Sequence, residues 1–489
     1  MKKIIFTILL ISCCLNIYSQ GRDNLWLLGN SPYPNQKMTI DFSTGTPVIS
    51  NSNRSVKLWR NSANITDLNG NLLFYTNGAV VANAMDNVMP NGDSLSPSFY
   101  GLCGAWMYFG FPIPQASLIL PNPGDSTKYY LIHSAMDILP TSVVTPLHLF
   151  YSEIDMKADS GRGDVISKNN ILISDTLIDG NLTACKHANG TDWWLLMPEY
   201  NTGAFYIYLI SANGIQYIDK QFIGQNLRCS GQTVFNPQGN KYAKFDSTNG
   251  LDVFDFNRVD GHLSNYKHVA FNDSSLGIGL AFSPDGSKLY TSSSLYIHQF
   301  DLYAPDLALS KTLVATWDST YSPYETYFTL AQLAPDGKIY ISTYFQTDIL
   351  HVIDAPDNLG MACNVIQHGV QLPYINDGTV PNHPNYHLAP LITSTPVGLS
   401  ENNIQSANLH LNPNPASKQV WVNYNFPNNK DGWLEIYDTM GKLLLKRRLY
   451  WSTTQLLVYL NEIKSNGVFV AKVYDDSGMF VSVEKLVVR

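Results

Sequence analysis

Charge is scarce in this sequence. Of 489 residues only 14% are Asp, Glu, Lys or Arg, and 31 basic residues against 39 acidic ones leave a net of -8. No basic run is long enough to track a phosphate backbone, so nucleic acid is not an expected partner. Cysteine is equally sparse at six residues, and none sits in a CxxC pair, which excludes a zinc ribbon. HExxH, GxSxG, a Walker glycine loop and a Rossmann fingerprint are all missing, so the common single-motif enzyme classes are excluded and no cofactor or metal is implied. Beyond the N-terminus no apolar run approaches the roughly 18 residues that span a bilayer as a helix.

What is abundant is aromatic and turn-forming. The chain has 29 Tyr, 21 Phe, 9 Trp, 33 Gly and 26 Pro, the composition of short strands joined by tight turns, so an all-β fold is expected. At 489 residues a single domain is too little, and one large and one small domain are expected. Residues 1–20 have the layout of a secretory signal peptide: Lys2 and Lys3, the apolar run IIFTILLISCCL, then NIYSQ with cleavage near Ser19 or Gln20. Leu10-Ile11-Ser12-Cys13 leaves lipidation of Cys13 as the alternative.

Glycine turns recur through the next 375 residues or so, at Gly70, Gly124, Gly190, Gly239, Gly286 and Gly337, with spacings of 54, 66, 49, 47 and 51 residues. A unit of about 50 residues, each with an apolar strand, a Gly turn and aromatic strands, is the period of a β-propeller blade. In SPDGSKLY and APDGKIYI the Pro presets φ, Asp bonds the turn backbone and Gly takes the positive φ, so Asp285 and Asp336 read as turn formers rather than catalytic acids. One blade reads strand by strand as LTACKH, DWWLLMPEY, AFYIYLI and GIQYIDKQFI. The segments NLWLLG, KMTIDFSTG and TPVIS lack an inner strand, and HPNYHLAPL lacks partners. A seventh blade is therefore expected with its outer three strands in Leu25 to Ser50 and its inner strand from Tyr386 to Leu391. Seven blades are expected for residues 21–395, with six or eight as alternatives. Four cysteines follow the signal segment; Cys185 and Cys229 fall on successive first strands and form the candidate disulfide, with unpaired burial as the bland alternative.

These units, with NGNLLFYTNG, NGTDWWLL and FDFNRVDGHLSN, resemble secreted bacterial propellers that carry sorting tails, a likeness that implies fold and not function. A Ser, Thr, Asn and Pro-rich linker, 396–406, precedes a small module, 407–489. There LNPNPASKQVWVNYNF places a turn before an alternating strand, and hairpins centre on Asp438 to Gly441 and Asp475 to Gly478, which reads as an immunoglobulin-like β-sandwich. The residues Pro413-Asn414-Pro415, Tyr437-Asp438, Gly441-Lys442, Gly467 and the terminal run from Lys485 closely resemble the C-terminal sorting domain of the type IX, or Por, secretion system. The resemblance implies recognition by the outer-membrane translocon, then release or attachment to a surface glycolipid. Leu411, where the family often has Tyr, is a conservative departure.

Candidate ligand-binding residues are the aromatics of the loop Tyr100 to Gln115: Trp106, Tyr108, Phe109 and Phe111, which would stack on a sugar or meet a protein, the bland alternative being a packed lid. A second aromatic loop, Thr320 to Phe328, is expected on the same face. His383 and His387 stand four apart, but Pro384 breaks the helix that would present them to a metal. The pairs Asp348 with Asp354 and Glu153 with Asp155 read as turn and strand-end carboxylates, and Arg162-Gly163-Asp164 as a chance integrin-like triplet. Two functions are thus expected to compete: a non-enzymatic surface module that binds a glycan or protein, and a secreted hydrolase or lyase acting on polysaccharide.

Overall fold

The computed structural model describes residues 21–98, 110–139, 144–226, 230–246, 248–271, 277–391, 409–424, 431–438, 442–463, 466–476 and 480–489. It divides into two compact units, Met1–Leu391 and Ile392–Arg489.

The first unit is a β-propeller whose blades, here A to G, are seven antiparallel sheets; a two-stranded ribbon, Asp137–Ile138 with Val144–Thr145, accompanies them. Blades C to G have four strands each, and the one read in full from sequence is blade D: Thr183–Lys186, Trp193–Pro198, Ala204–Ser211 and Gly214–Phe222. Its second strand is buried on both faces, as a strand sandwiched between neighbouring blades must be. Among the described residues blade B has three strands, Ala63–Thr66, Leu72–Thr76 and Val81–Asn83. The turn chemistry is as the sequence implies. Asp285 Oδ1 accepts from Ser283 Oγ (2.7 Å) and Ser287 N–H (2.8 Å), while Gly286 takes φ 70°. Tyr340 OH donates to Asp336 (2.8 Å), which fixes the neighbouring strand to its own turn.

Each blade packs its apolar faces on the next, and the ring closes. Ile65, Phe74, Leu118 and Leu195 share one core; Phe205 meets Tyr242 and Phe254; Leu251 and Leu280 share a core, as do Ile297 and Ile339. Blade A, formed by Leu25–Leu28, Lys37–Asp41 and Val48–Ser52, joins the two ends. Trp26 and Met38 pack on Leu330 and Tyr340 of blade G, and Leu27 packs on Tyr75 and Val80 of blade B.

The closure differs from expectation at one point. Leu25–Leu28 runs against the inner strand of blade B: Thr66 Oγ1 donates to Gly21 O, Asn64 Nδ2 to Leu25 O (2.7 Å) and Leu58 N to Gly29 O (3.2 Å). The inner strands of neighbouring blades run together, as the parallel bridge Gly180 to Gly231 shows. Leu25–Leu28 therefore holds the second position of its blade, as expected, and among the described residues no strand fills the first. Residues Tyr386 to Leu391 do not form the inner strand assigned to them. They run in its direction but swing across the ring, and the segment 382–391 fills the central channel as a plug. Asn382 N donates to Ser62 O (2.9 Å), His383 to Asn64 O (3.0 Å), Tyr386 OH to Ile119 O (2.8 Å) and Leu391 N to Ala188 O (2.8 Å). Asn and His side chains that bond carbonyls of several blades hold this stretch where a ladder would hold a strand.

Two buried histidines predict acid sensitivity. His133 lies between Ser96 and Ser152 hydroxyls (2.7 and 2.9 Å), and burial pushes its pKa down to about 3. His351 bonds Thr326 O (2.8 Å), and burial lowers it to about 4. Both folded values lie below the unfolded one, so as pH falls under about 6.5 the unfolded chain gains protons that the folded chain refuses. Stability is expected to drop between pH 6.5 and 4, by on the order of 3 kcal/mol per histidine. Urea melts of wild type and His133→Asn check this: the variant should lose less on acidification, and parallel losses would refute the assignment.

The second unit is a β-sandwich. One sheet holds His410–Asn412, Gln419–Asn423 and Gln455–Tyr459; the other holds Leu443–Leu449, Gly432–Tyr437, Gly467–Asp475 and Phe480–Val488. Val420, Val422, Leu434, Ile436, Phe469 and Leu486 share its core.

Candidate functional site

Side-chain amides cap one end of the channel. Gln232 takes N–H groups of Leu280 (2.9 Å) and Ala331 (3.1 Å) on its Oε1 and donates to Ala331 O (2.6 Å), bridging blades E, F and G. Gln115 pairs likewise with both backbone groups of Thr233 (2.9 Å each). Asn382 donates to Ser117 O (3.0 Å) and Leu182 O (2.9 Å). Below these rungs a cavity of about 240 Å³ remains between the plug, Trp26 and the glycine-turn ends of the inner strands of blades E, F and G. Phe282, Leu333 and Pro335 give it apolar walls, and Gln332, Asn385 and His383 give it polar ones.

The one carboxylate on this wall among the described residues is Asp23, and it is engaged: His387 Nε2 bonds its Oδ1 at 2.7 Å. That bond raises His387 above its ordinary pKa, whereas burial lowers His383. The histidine pair thus serves the plug, and among the described residues no group of three or more His, Cys, Asp or Glu could hold a metal. The other acidic residues singled out are placed as follows. Asp348 accepts from Ser322 Oγ (2.6 Å), Asp354 pairs with Lys338 (2.6 Å) and Asp155 caps Lys157 N–H (2.9 Å). Glu153 lies on the third strand of blade C. Asp246, paired with Lys244 in the core (2.6 Å), also accepts from Thr248 and Asn249 N–H (3.0 and 2.7 Å), which satisfies it as a structural ion.

At the inter-blade loop end the second aromatic loop builds a ledge. Trp317 and Tyr327 stand 4.5 Å apart, Tyr327 and Phe345 6.2 Å, and Phe345 and Tyr344 5.2 Å. The Arg60 guanidinium lies 4.3 Å over Tyr344 and 5.7 Å from the Trp59 ring, which carries the run from blade G to the entry of blade B. Trp317 Nε1 donates to Thr326 Oγ1 (3.0 Å), so the root of the ledge is fixed. Its rim is open: Tyr321 is 59% exposed, Tyr324 52% and Phe345 38%. Asp318, held by His368 (3.1 Å), and Asp348 set hydrogen-bonding groups beside the rings.

The first aromatic loop fares differently. Trp106, Tyr108 and Phe109 lie outside the described residues, and Phe111 is 1% exposed, packed with Ala79, Ile113 and Ala135. Phe111 is core and not a stacking surface, a correction that follows from the small residues around it. Cys185 is a buried thiol without a bridge, set against Gly239 O (3.8 Å), and its candidate partner Cys229 lies outside the described residues. Arg162 of the RGD triplet is tied back to Asp159 (2.7 Å). Phe345 and Arg60 were missed by sequence reading, because only the ring brings residues so far apart in the chain to one ledge.

In the second unit the motif residues hold structure. Asn414 Nδ2 donates to Lys485 O (2.5 Å), and its Oδ1 accepts Val487 N–H (2.9 Å), so the Pro-Asn-Pro turn grips the last strand. Asp438 caps Lys442 N–H (2.9 Å) across a turn whose Gly441 lies outside the described residues. Tyr437 bonds Glu435 and lies under Lys472, 5.0 Å away, and Gly467 opens the strand it begins.

No curated protein matches the chain. Among solved structures it is similar to a fungal alcohol oxidase of the AA5 family in complex with copper (11% identity, 96% of this chain and 97% of that one, TM-score 0.34). It is also similar to a protein from Lactobacillus plantarum (13%, 90% and 99%, TM-score 0.35) and to a gluconolactonase from Xanthomonas campestris (10%, 66% and 93%, TM-score 0.30). Residues 410–489 match the family model of the secretion system C-terminal sorting domain. The chain is accordingly exported, to the outer-membrane surface or into the medium.

Proposed function

We propose that the propeller is a non-enzymatic binding module displayed at the cell surface, and that it holds a glycan against the ledge of Trp317, Tyr327, Phe345 and Tyr344. The observation that carries this reading is an exposed aromatic rim on a fixed root, with carboxylates interleaved among the rings. Ring faces cover the C–H side of a sugar while the carboxylates take its hydroxyls, and rigid rings lose little entropy on binding. The competing reading, a polysaccharide hydrolase, needs two carboxylates roughly 5 to 9.5 Å apart. Among the described residues the cavity beside the plug offers Asp23 alone, already bonded to His387.

A glycan array followed by titration with the full chain is the test. Tyr324→Ala with Phe345→Ala should weaken the ligand at least about tenfold, ~1.4 kcal/mol. Exposed sites of this kind leave folding stability within about 0.5 kcal/mol for Tyr324. Binding that survives the double substitution, or turnover of the bound glycan, would sink the proposal; capture of a protein and no glycan would replace the ligand class.

A further inference from the structure

Among the described residues the Arg60 guanidinium, at one end of the ledge, makes no hydrogen bond and no ion pair; its contacts are the Tyr344 ring at 4.3 Å and the Trp59 ring at 5.7 Å. None of its nitrogens is sealed from solvent, as Nη1 of Arg54 is. A ring contact occupies the face of the fork and leaves its N–H edges open. Asp377 is the acidic neighbour within electrostatic reach, yet it is 7% exposed and takes its hydrogen bond from Asn30 Nδ2 at 3.4 Å instead. Burial holds that carboxyl above its ordinary pKa, and Arg60 offsets the rise only in part.

The backbone places this side chain under constraint. Arg60 adopts φ 57°, a left-handed conformation uncommon for residues with a long side chain, and its N–H is shared between Asp377 O (3.3 Å) and Thr379 Oγ1 (3.1 Å). Gly378 makes the room, since a Cβ there would stand 3.1 Å from Arg60 Cγ. The side chain thus runs past Gly378 to the Tyr344 ring and has less freedom to lose when a ligand binds. The ledge's carboxylates belong to its other end: Asp318 and Glu325 lie in the segment 317–328, and Asp348 bonds Ser322 of that segment. Asp318 is moreover held by His368.

An open guanidinium fork beside stacked rings matches an oxyanion, which it takes through two parallel N–H bonds. Resting on the glycan reading of the ledge, we infer that the ligand is an anionic glycan and that Arg60 selects it, holding a carboxylate or sulfate of the sugar next to Tyr344. The two anions share this chemistry, and the arms of the experiment separate them.

Calorimetric titration of the full chain compares two matched pairs: oligogalacturonate against its methyl ester, and a sulfated galactan oligomer against its desulfated form. Within each pair the sugar skeleton is the same and only the charge differs. The acidic member of at least one pair should bind at least about tenfold tighter than its neutral partner, and the pair that shows the preference names the anion. Arg60→Gln should remove most of that preference, whereas Arg60→Lys, which keeps the charge and loses the fork, should retain part of it. Tyr324→Ala with Phe345→Ala should weaken the acidic ligand as well. Equal affinities within both pairs would overturn the inference and leave the glycan reading of the ledge standing, a comparison that needs no Arg60 variant to fold. A preference indifferent to Arg60→Gln, or acidic binding that survives the double substitution, would also overturn it. Absence of binding by all four oligomers would sink the glycan reading and this inference together.

Discussion

Tyr386→Ala is expected to lower the unfolding free energy of the propeller by about 3 to 5 kcal/mol, the range for deleting a large buried ring. Tyr386 is 2% exposed, sits edge-on to Trp193 with ring centres 5.9 Å apart, and shares a core with residues of blades B, C and D. Its hydroxyl donates to Ile119 O (2.8 Å), so truncation also strands a buried carbonyl. Against a typical total of 5 to 15 kcal/mol the loss is a third or more. Removing residues 382–391 should go further and prevent the ring from forming. That deletion takes away Asn382, which ties Ser62, Ser117 and Leu182, and the Ala389 carbonyl that Arg258 holds at 2.7 Å. Tyr386→Phe separates packing from hydrogen bonding and should cost only about 1 kcal/mol. Urea midpoints measure all three; a Tyr386→Ala protein within 1 kcal/mol of the parent would show the plug to be an ornament of the channel.

The plug also marks where sequence stops informing on structure. Blade D and the turns at Asp285 and Asp336 are local: alternating apolar strands and Pro-Asp-Gly chemistry are complete within a dozen residues, so they can be read directly. The three outer strands of blade A were readable for the same reason. The path of HPNYHLAPL was not, because its partners are single carbonyls of blades B, C and D, and an Asn or His bonded to a distant carbonyl leaves no periodic trace. The ledge had half a signature, the aromatics of Thr320 to Phe328. Its other half, Phe345 on a strand turn and Arg60 beyond blade A, belongs to segments that look ordinary alone. Phe111 failed in the opposite sense. An aromatic in a glycine-rich loop reads as surface, yet Ala79, Ala116 and Ala135 leave a recess of its size.

Loss of the second unit should act on destination rather than on folding. A chain lacking residues 407–489 keeps every blade and the plug, because the propeller core clusters are built wholly from residues before Leu391. It lacks the sorting domain matched at 410–489, and we expect it to accumulate in the periplasm with surface protein reduced to background. Asn414→Ala is the finer probe. It removes the two bonds that pin the last strand to the Pro-Asn-Pro turn, at Lys485 O and Val487 N, while the backbone contacts Ala416 N to Val487 O (2.8 Å) and Arg489 N to Ala416 O (2.8 Å) remain. Each lost bond is worth about 0.5 to 1.5 kcal/mol, enough to loosen a small sandwich whose core is limited. If recognition reads the terminal strand as a fixed edge, Asn414→Ala should lower surface display without unfolding the propeller. Fractionation with surface proteolysis separates the outcomes: full display of the truncated chain would refute the sorting role, and full display of Asn414→Ala alone would show that the translocon tolerates a loosened strand.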